Sequence, residues 1–396
     1  MAAAFRLPRL GLPNEEIFDE VYHAKTALEY LNGTAPTEWV HPPTAKLLIA
    51  IGVHFLGYDA WGWRLAPALA GILLAPVFYL LARRVLATER AALLASALLL
   101  CDGVYLVQSR VAMTNIFAVL FQLLAALLVV RAAARERLGT LDMSAVGLAL
   151  GLALSTRWTS LWAWGFLGLV MLGTRRARLF RPRELALLFW AFFLLPLVLY
   201  VASYLPWMRQ GHALGELWPH TRAIWGYHAN LRASHPYFSN WYTWPWLYRP
   251  TWYYWKQTGE VVAGIIAIGN PVLWWSSLAA AIWALVLAAR ERSGPLLFCG
   301  AGFFCLYLPW GLSPRTLNYS HYLFEAIPYA CLALGALLDR HWDGPQRGWA
   351  RAYLALALAV YVYFLPLLLG IPFRASWFFH DFGRGVRPWT WFPTWI

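Results

Sequence analysis

Acidic residues are scarce in this sequence, 19 among 396, and two of them stand side by side in Phe18-Asp19-Glu20-Val21-Tyr22-His23. Alone such a pair is weak evidence, but a charged segment in so apolar a chain is where chemistry is to be sought. Adjacent side chains on a helix point about 100° apart, so only one of the two can face a given substrate atom. The plain alternative for the pair is charge placed at a helix N-terminus. About twenty residues later, His41-Pro42-Pro43-Thr44-Ala45-Lys46 brings an imidazole and one of only three lysines, which turns the reading toward chemistry.

Two further groups belong with these. The stretch His235-Pro236-Tyr237-Phe238-Ser239-Asn240-Trp241-Tyr242-Thr243-Trp244 runs on to Arg249-Pro250-Thr251-Trp252, and residues 206–260 hold eight tryptophans. An interfacial aromatic belt and a platform that stacks sugar rings and lipid account for it equally well. Arg64, Asp102, Arg110, Arg157, Arg315 and Glu325 fall at the ends of apolar runs that face one side. A charge at mid-bilayer costs about 2.5–3.5 kcal/mol, so such residues have a partner or a task, or snorkel to the surface.

These residues must be held by a hydrophobic framework. Apolar types make up 60% of the chain and charged types 13%, against about 45–50% and 25% in soluble domains. That excludes a soluble enzyme, a disulfide scaffold and a disordered chain, and it predicts an all-α polytopic membrane protein. The apolar runs are continuous and not alternating, unlike a transmembrane β-barrel. Cys101, Cys299, Cys305 and Cys331 lie in apolar runs without metal-ligand spacing and read as buried thiols. Net charge +13 does not point to nucleic acid, because 29 of the 32 basic residues are arginines in short clusters between apolar runs.

Ten spans are expected, at roughly 63–82, 91–108, 111–131, 142–157, 159–173, 184–205, 261–289, 295–311, 319–338 and 350–371. Lys46 to Leu56 reads as a helix on or dipping into the membrane. Sixteen arginines fall in five alternate loops, Arg83 to Arg90, Arg131 to Arg137, Arg175 to Arg183, Arg290 to Arg292 and Arg340 to Arg351. That bias places the five loops in the cytoplasm. The outer side receives residues 1–62, which carry the Asp-Glu pair, the aromatic loop 206–260 and the tail 372–396. The chain is thus one integral membrane domain over 1–396.

The ordered set of Phe18-Asp19-Glu20-Val21-Tyr22, HPPxxK, Gly62-Trp63-Arg64-Leu65, Gln108-Ser109-Arg110-Val111-Ala112-Met113 and the His235 loop resembles the protein O-mannosyltransferases, more narrowly their bacterial members. The resemblance implies a multi-span glycosyltransferase fold and a polyprenyl-phosphate mannose donor. It implies Ser and Thr hydroxyls of secreted or translocating proteins as acceptors, a bacterial cell-membrane location and an extracytoplasmic site. Eukaryotic members carry a soluble domain in a central outer loop, for which the 55 residues of 206–260 leave no room.

Carried over residue by residue, Asp19 matches the family's proposed base and Glu20 its essential neighbour. Arg6, thirteen positions before Asp19, and Arg64 match arginines important for activity. His41 and Lys46 match HPPxxK, while Arg315, His321 and Tyr322 match an outer segment near the donor phosphate. Arg110, His235, Trp241 and Trp244 complete the expected substrate-binding set. The implied reaction needs cations at the departing phosphate, with Arg315, Lys46 and Arg64 as candidates. One base and one displacement give inversion. A divalent metal stays open, with His41 and Asp19 or Glu20 as the donors considered.

Two departures stand out. Asn115 occupies a position where the family has Asp. Only Met1–Phe18 precedes the Asp-Glu pair, where the family has a complete span, so a start internal to a longer reading frame, or a truncated relative, is expected. Sequons stand at Asn32 and Asn318. The other readings are a lipid-phosphate-sugar transferase with a lipid or glycan acceptor, and a transporter or inactive relative. No inverted repeat and no mid-span acid supports transport.

Overall fold

The computed structural model describes residues 2–178, 181–383 and 385–395. In chain order its helices are α1 (Ala2–Arg6), α2 (Glu20–Asn32), α3 (Thr44–Leu56), α4 (Ala60–Val85), α5 (Glu89–Leu100), α6 (Gly103–Gln108), α7 (Asn115–Ala133), α8 (Thr140–Leu154) and α9 (Ser160–Arg175). They continue with α10 (Pro182–Ser203), interrupted by a π turn at Trp190–Leu194, then α11 (Leu205–Arg209) and α12 (Leu217–Asn230). Then come α13 (Pro271–Glu291), α14 (Gly294–Tyr307), α15 (Ile327–His341) and α16 (Arg347–Leu368), with a single short turn of helix, α17 (Ala375–Phe378), in the tail.

Among the described residues, six helical segments are long and apolar enough to cross a membrane, namely α4, α7, α10, α13, α14 with its 3₁₀ continuation to Leu312, and α16. The other four expected spans are helices of 12, 15, 16 and 15 residues, α5, α8, α9 and α15. α15 is buried along most of its length, as expected of a helix apolar on all sides. A Cβ on its Gly335 would lie 2.6 Å from Ala91 O of α5, so only glycine allows that approach.

Two expected spans are corrected in detail. The run 91–108 is broken at Asp102, whose Oδ1 caps α6 by accepting from Tyr105 N at 2.8 Å. Its Oδ2 takes the Trp274 indole at 2.6 Å, so this buried carboxylate has a structural partner. In the run 261–289, Val261–Ala267 is a strand, and the helix starts only at Pro271 after the Asn270 cap. An apolar β-branched run cannot be told from a buried helix by periodicity. It forms β2 of a three-stranded antiparallel sheet with β1 (Thr251–Thr258) and β3 (Phe373–Arg374). The class remains that of a helical membrane protein, with this small sheet added to its loops.

Contacts sort the loops by end. Arg90 pairs with Asp339 and Asp343, Arg340 with Glu291, and Arg175 donates to Arg135 O. Elsewhere the aromatic loop meets both the N-terminal segment and the tail, through Tyr254 Oη on Glu15 and Trp252 Nε1 on Trp395 O. All four cysteines are free thiols, three buried and Cys305 half-buried.

Candidate active site

Asp19 and Glu20 open α2 and have different surroundings. Glu20 is fully buried. Its Oε1 accepts from Arg64 Nε at 2.8 Å and Ala112 N at 2.9 Å. Its Oε2 accepts from Arg64 Nη2 at 2.7 Å and Ile17 N at 3.0 Å. A carboxylate so engaged has no lone pair left for a substrate.

Arg64 spends its other donors on carbonyls of Leu10, Pro13 and Glu15. Arg110 binds the carbonyls of Phe5, Arg6, Pro8 and Arg9 at 2.8–3.0 Å. The two guanidinium groups stitch the irregular segment before α2 to the bundle, so Arg64 is corrected from a phosphate cation to a scaffold residue. Arg6 is buried beneath Tyr105, with Cζ 4.0 Å from the ring centroid and Nη1 on Ala2 O.

Asp19 holds the N-cap position of α2 but makes no cap bond. Its carboxylate accepts no side-chain hydrogen bond from the described residues. Burial pushes this carboxyl up to about 6 and Glu38 adds repulsion, while Arg157 and Arg315 pull the other way. The Asp19 side chain is thus half-buried, raised toward neutrality and unengaged by the described residues.

Lys46 is also corrected as a phosphate cation. It is wholly buried, its Nζ paired with the Glu38 carboxylate and bound to the carbonyls of Glu38 and His41 at 2.9 and 2.8 Å. Glu38 also takes His41 Nδ1 at 2.7 Å. Burial raises the Glu38 carboxyl, yet Lys46 and His41 hold it well below the ordinary carboxylate range. Of the metal donors considered, Glu20 faces Arg64 and His41 Nδ1 faces Glu38. Among the described residues no group of three His, Cys, Asp or Glu side chains is placed to hold a metal ion.

A cavity of about 620 Å³ opens beside this network. Its walls are largely apolar, with Trp158, Trp162, Trp218, Trp225 and Trp310, and its polar contributors include His41, Arg157, His228 and Arg315. Asp19 does not line it, but the two cations that act on Asp19 do. Their Cζ atoms lie over the Tyr322 ring, Arg157 at 5.4 Å and Arg315 at 5.9 Å from its centroid. Arg157 donates through Nη1 to Thr114 and Asn115 at 3.0 and 2.9 Å, so Asn115 meets a cation without neutralising it. The Arg157 Nε and Trp310 Nε1 are buried without a hydrogen-bond partner among the described residues. Glu325 stands 3.9 Å from that Nε and accepts instead from Thr159 and Gln122.

His228 is a site residue that sequence reading missed, since one histidine in the polar stretch of α12 carries no signal. Its Nε2 lies 2.8 Å from Val40 O, which only accepts, so Nε2 carries the proton. The Nδ1 lone pair then faces Arg315 Nη1 at 3.5 Å. Arg157 was visible as a charge at a span end but not as part of the site.

The aromatic residues divide. Trp244 is completely buried, with Nε1 on Ser239, and packs on Trp310 and Tyr322. It is corrected from a substrate platform to core, because a ring without exposed surface cannot stack on a ligand. Trp241 is half-buried against Tyr307. His235 packs on Tyr319, and His321 is buried against Tyr319 and Tyr253. Of the sequons, Asn32 is exposed, whereas Asn318 is buried and bound to Arg315 O.

The chain matches the family model described as dolichyl-phosphate-mannose-protein mannosyltransferase over residues 1–61 and 58–208. A second model, the C-terminal four TMM region of protein-O-mannosyltransferase, matches 213–395. It is 27% identical over 481 aligned residues to the polyprenol-phosphate-mannose–protein mannosyltransferase of Mycolicibacterium smegmatis, covering 100% of this chain and 91% of that one. The Mycobacterium tuberculosis protein of the same name is also 27% identical, covering 96% and 86%. Among solved structures, the Saccharomyces cerevisiae Pmt1-Pmt2 complex bound to the sugar donor superposes with TM-score 0.81 at 14% identity, covering 93% and 88%. ArnT of Cupriavidus metallidurans bound to undecaprenyl phosphate gives 0.63 at 17%, covering 93% and 75%. These two likenesses concern the fold.

Proposed function

Because the chain belongs to the dolichyl-phosphate-mannose-protein mannosyltransferase family, we propose that it transfers mannose from a polyprenyl-phosphate carrier to Ser or Thr hydroxyls of proteins, with inversion, at the extracytoplasmic face. It is a membrane glycosyltransferase whose curated mycobacterial relatives carry this donor and acceptor class in their names.

The observation that carries the finer reading is the contrast between Asp19 and its surroundings. Glu20, Glu38, Lys46 and Arg64 are consumed by protein partners, whereas the Asp19 carboxylate is left without a side-chain hydrogen bond among the described residues. Asp19 takes the proton of the acceptor hydroxyl as its oxygen attacks the anomeric carbon. The bond from that carbon to the carrier phosphate breaks, and the phosphate leaves with the electron pair. Arg157 and Arg315, on the cavity wall, hold the anionic group as it gains charge. His228 keeps Arg315 in place without adding a competing negative charge. The apolar tryptophan walls suit the carrier's isoprenoid units.

The test is transfer from labelled polyprenyl-phosphate mannose to a Ser/Thr-rich peptide by purified protein in liposomes. The expected product is a mannosyl peptide whose linkage is opposite in configuration to the donor's. Product on lipid and never on peptide would replace the protein acceptor, and retained configuration would remove the single-displacement mechanism.

A further inference from the structure

We propose that Phe18 and Tyr253 form a stacked clamp that aims the Asp19 carboxylate, a role that rests on the reading of Asp19 as the base. Phe18 lies at φ 49°, in the left-handed region. For a bulky residue this conformation is strained and persists only where the surroundings over-determine it.

Those surroundings are visible. The Phe18 ring lies flat on Tyr253, centroids 4.2 Å apart and planes 8° from parallel. The Tyr319 and His321 rings meet it edge-on at 6.0 and 6.2 Å. Tyr253 is itself buried and fixed, since Gln108 Nε2 donates to its hydroxyl at 2.7 Å. The clamp therefore draws on β1, on the end of α6 and on the segment before α15, far apart in sequence.

On the other side of Asp19, the Glu20 side chain is bound by Arg64 and by Ile17 N. Both neighbours of Asp19 are anchored by their side chains, while its own carboxylate makes no side-chain bond among the described residues. The backbone kink is held from both sides, and the carboxylate is aimed without being consumed. Tyr253 and Phe18 are positioning residues, acting through Asp19.

The experiment compares Tyr253→Phe, Tyr253→Leu, Phe18→Leu and the double Leu variant, with Asp19→Asn in parallel. Tyr253→Phe keeps the stack and is expected to retain kcat within about threefold, whereas Tyr253→Leu loses about a hundredfold with donor KM little changed, the scale of a 1 Å misplacement. The double variant is expected to fall no further than Tyr253→Leu, since both remove one device. If Tyr253→Leu does not fold, Phe18→Leu against Tyr253→Phe makes the same comparison. Wild-type kcat in Tyr253→Leu or in Phe18→Leu, equal losses in Tyr253→Phe and Tyr253→Leu, or multiplying losses in the double variant would overturn the clamp. Wild-type transfer by Asp19→Asn would instead remove the base reading on which it rests. An inactive Asp19→Asn beside a fully active Tyr253→Leu removes the clamp alone.

Discussion

Arg64 grips Glu20 at two points, Nε to Oε1 at 2.8 Å and Nη2 to Oε2 at 2.7 Å, across 44 residues of sequence and with both side chains buried. Bidentate geometry is what a guanidinium supplies and an ammonium does not. The pair fixes the first turn of α2 and hence the backbone that carries Asp19.

Breaking this pair should therefore be costly. Glu20→Gln leaves the Arg64 guanidinium buried without its anion, and a loss of about 3–5 kcal/mol in stability is expected. Arg64→Lys should be milder in stability but still slow transfer, because one donor head cannot hold both oxygens. Thermal unfolding in detergent together with transfer rates checks both variants.

Asp19 sets a pH dependence with a definite sign. Its carboxyl is raised to about 6, first by burial, and the base must be ionised to work. Transfer is expected to rise as pH increases through about 6 and then level. The same group opposes folding when ionised, since its folded-state value lies above the unfolded one. Stability from this position is full below the unfolded value and is lost as pH rises through about 6. Asp19→Asn should accordingly unfold at a higher temperature than the parent at pH 7.5, with the difference shrinking toward pH 4. Melting curves at the two pH values test this independently of activity.

The phosphate-binding reading makes Arg157 and Arg315 separable from the scaffold arginines. Removing a charge-assisted hydrogen bond costs about 1.5–3 kcal/mol, so Arg315→Ala should weaken donor binding by roughly ten- to hundredfold. His228→Ala should show a smaller loss in the same direction, because it only holds Arg315. Titration with non-hydrolysable polyprenyl phosphate measures both.

Lys46 and Glu38 are predicted to behave as one structural unit. Lys46→Met strands the buried Glu38 carboxylate, at a cost of about 3–5 kcal/mol, whereas Lys46→Met with Glu38→Leu should recover much of it. Unfolding of the single and double variants decides the point.

Much of the candidate site was legible because its residue types are rare in an apolar chain. Asp19, Glu20 and the HPPxxK element stand out where acids and lysines are few. What the pattern could not reveal was which charges are spent. Lys46 and Arg64 look like free cations in one dimension, and only the fold shows Glu38 and Glu20 beneath them. Arg157 stood out as a span-end charge but could not be told from arginines that snorkel, and His228 needed α12 to lie over His41 and Arg315. Trp244 looked like its exposed neighbours until packing buried it. In the framework, Val261–Ala267 passed as part of a span because apolar strands and buried helices share a composition. Asp102 interrupted another by capping a new helix.

The most direct measurement is single-turnover mannose transfer to a Ser/Thr-rich peptide by Asp19→Asn, with donor binding measured on the same preparation. The account predicts that binding of polyprenyl-phosphate mannose stays close to that of the parent while transfer disappears. Transfer at the parent rate by Asp19→Asn, with donor bound normally, would contradict the assignment of Asp19 as the base.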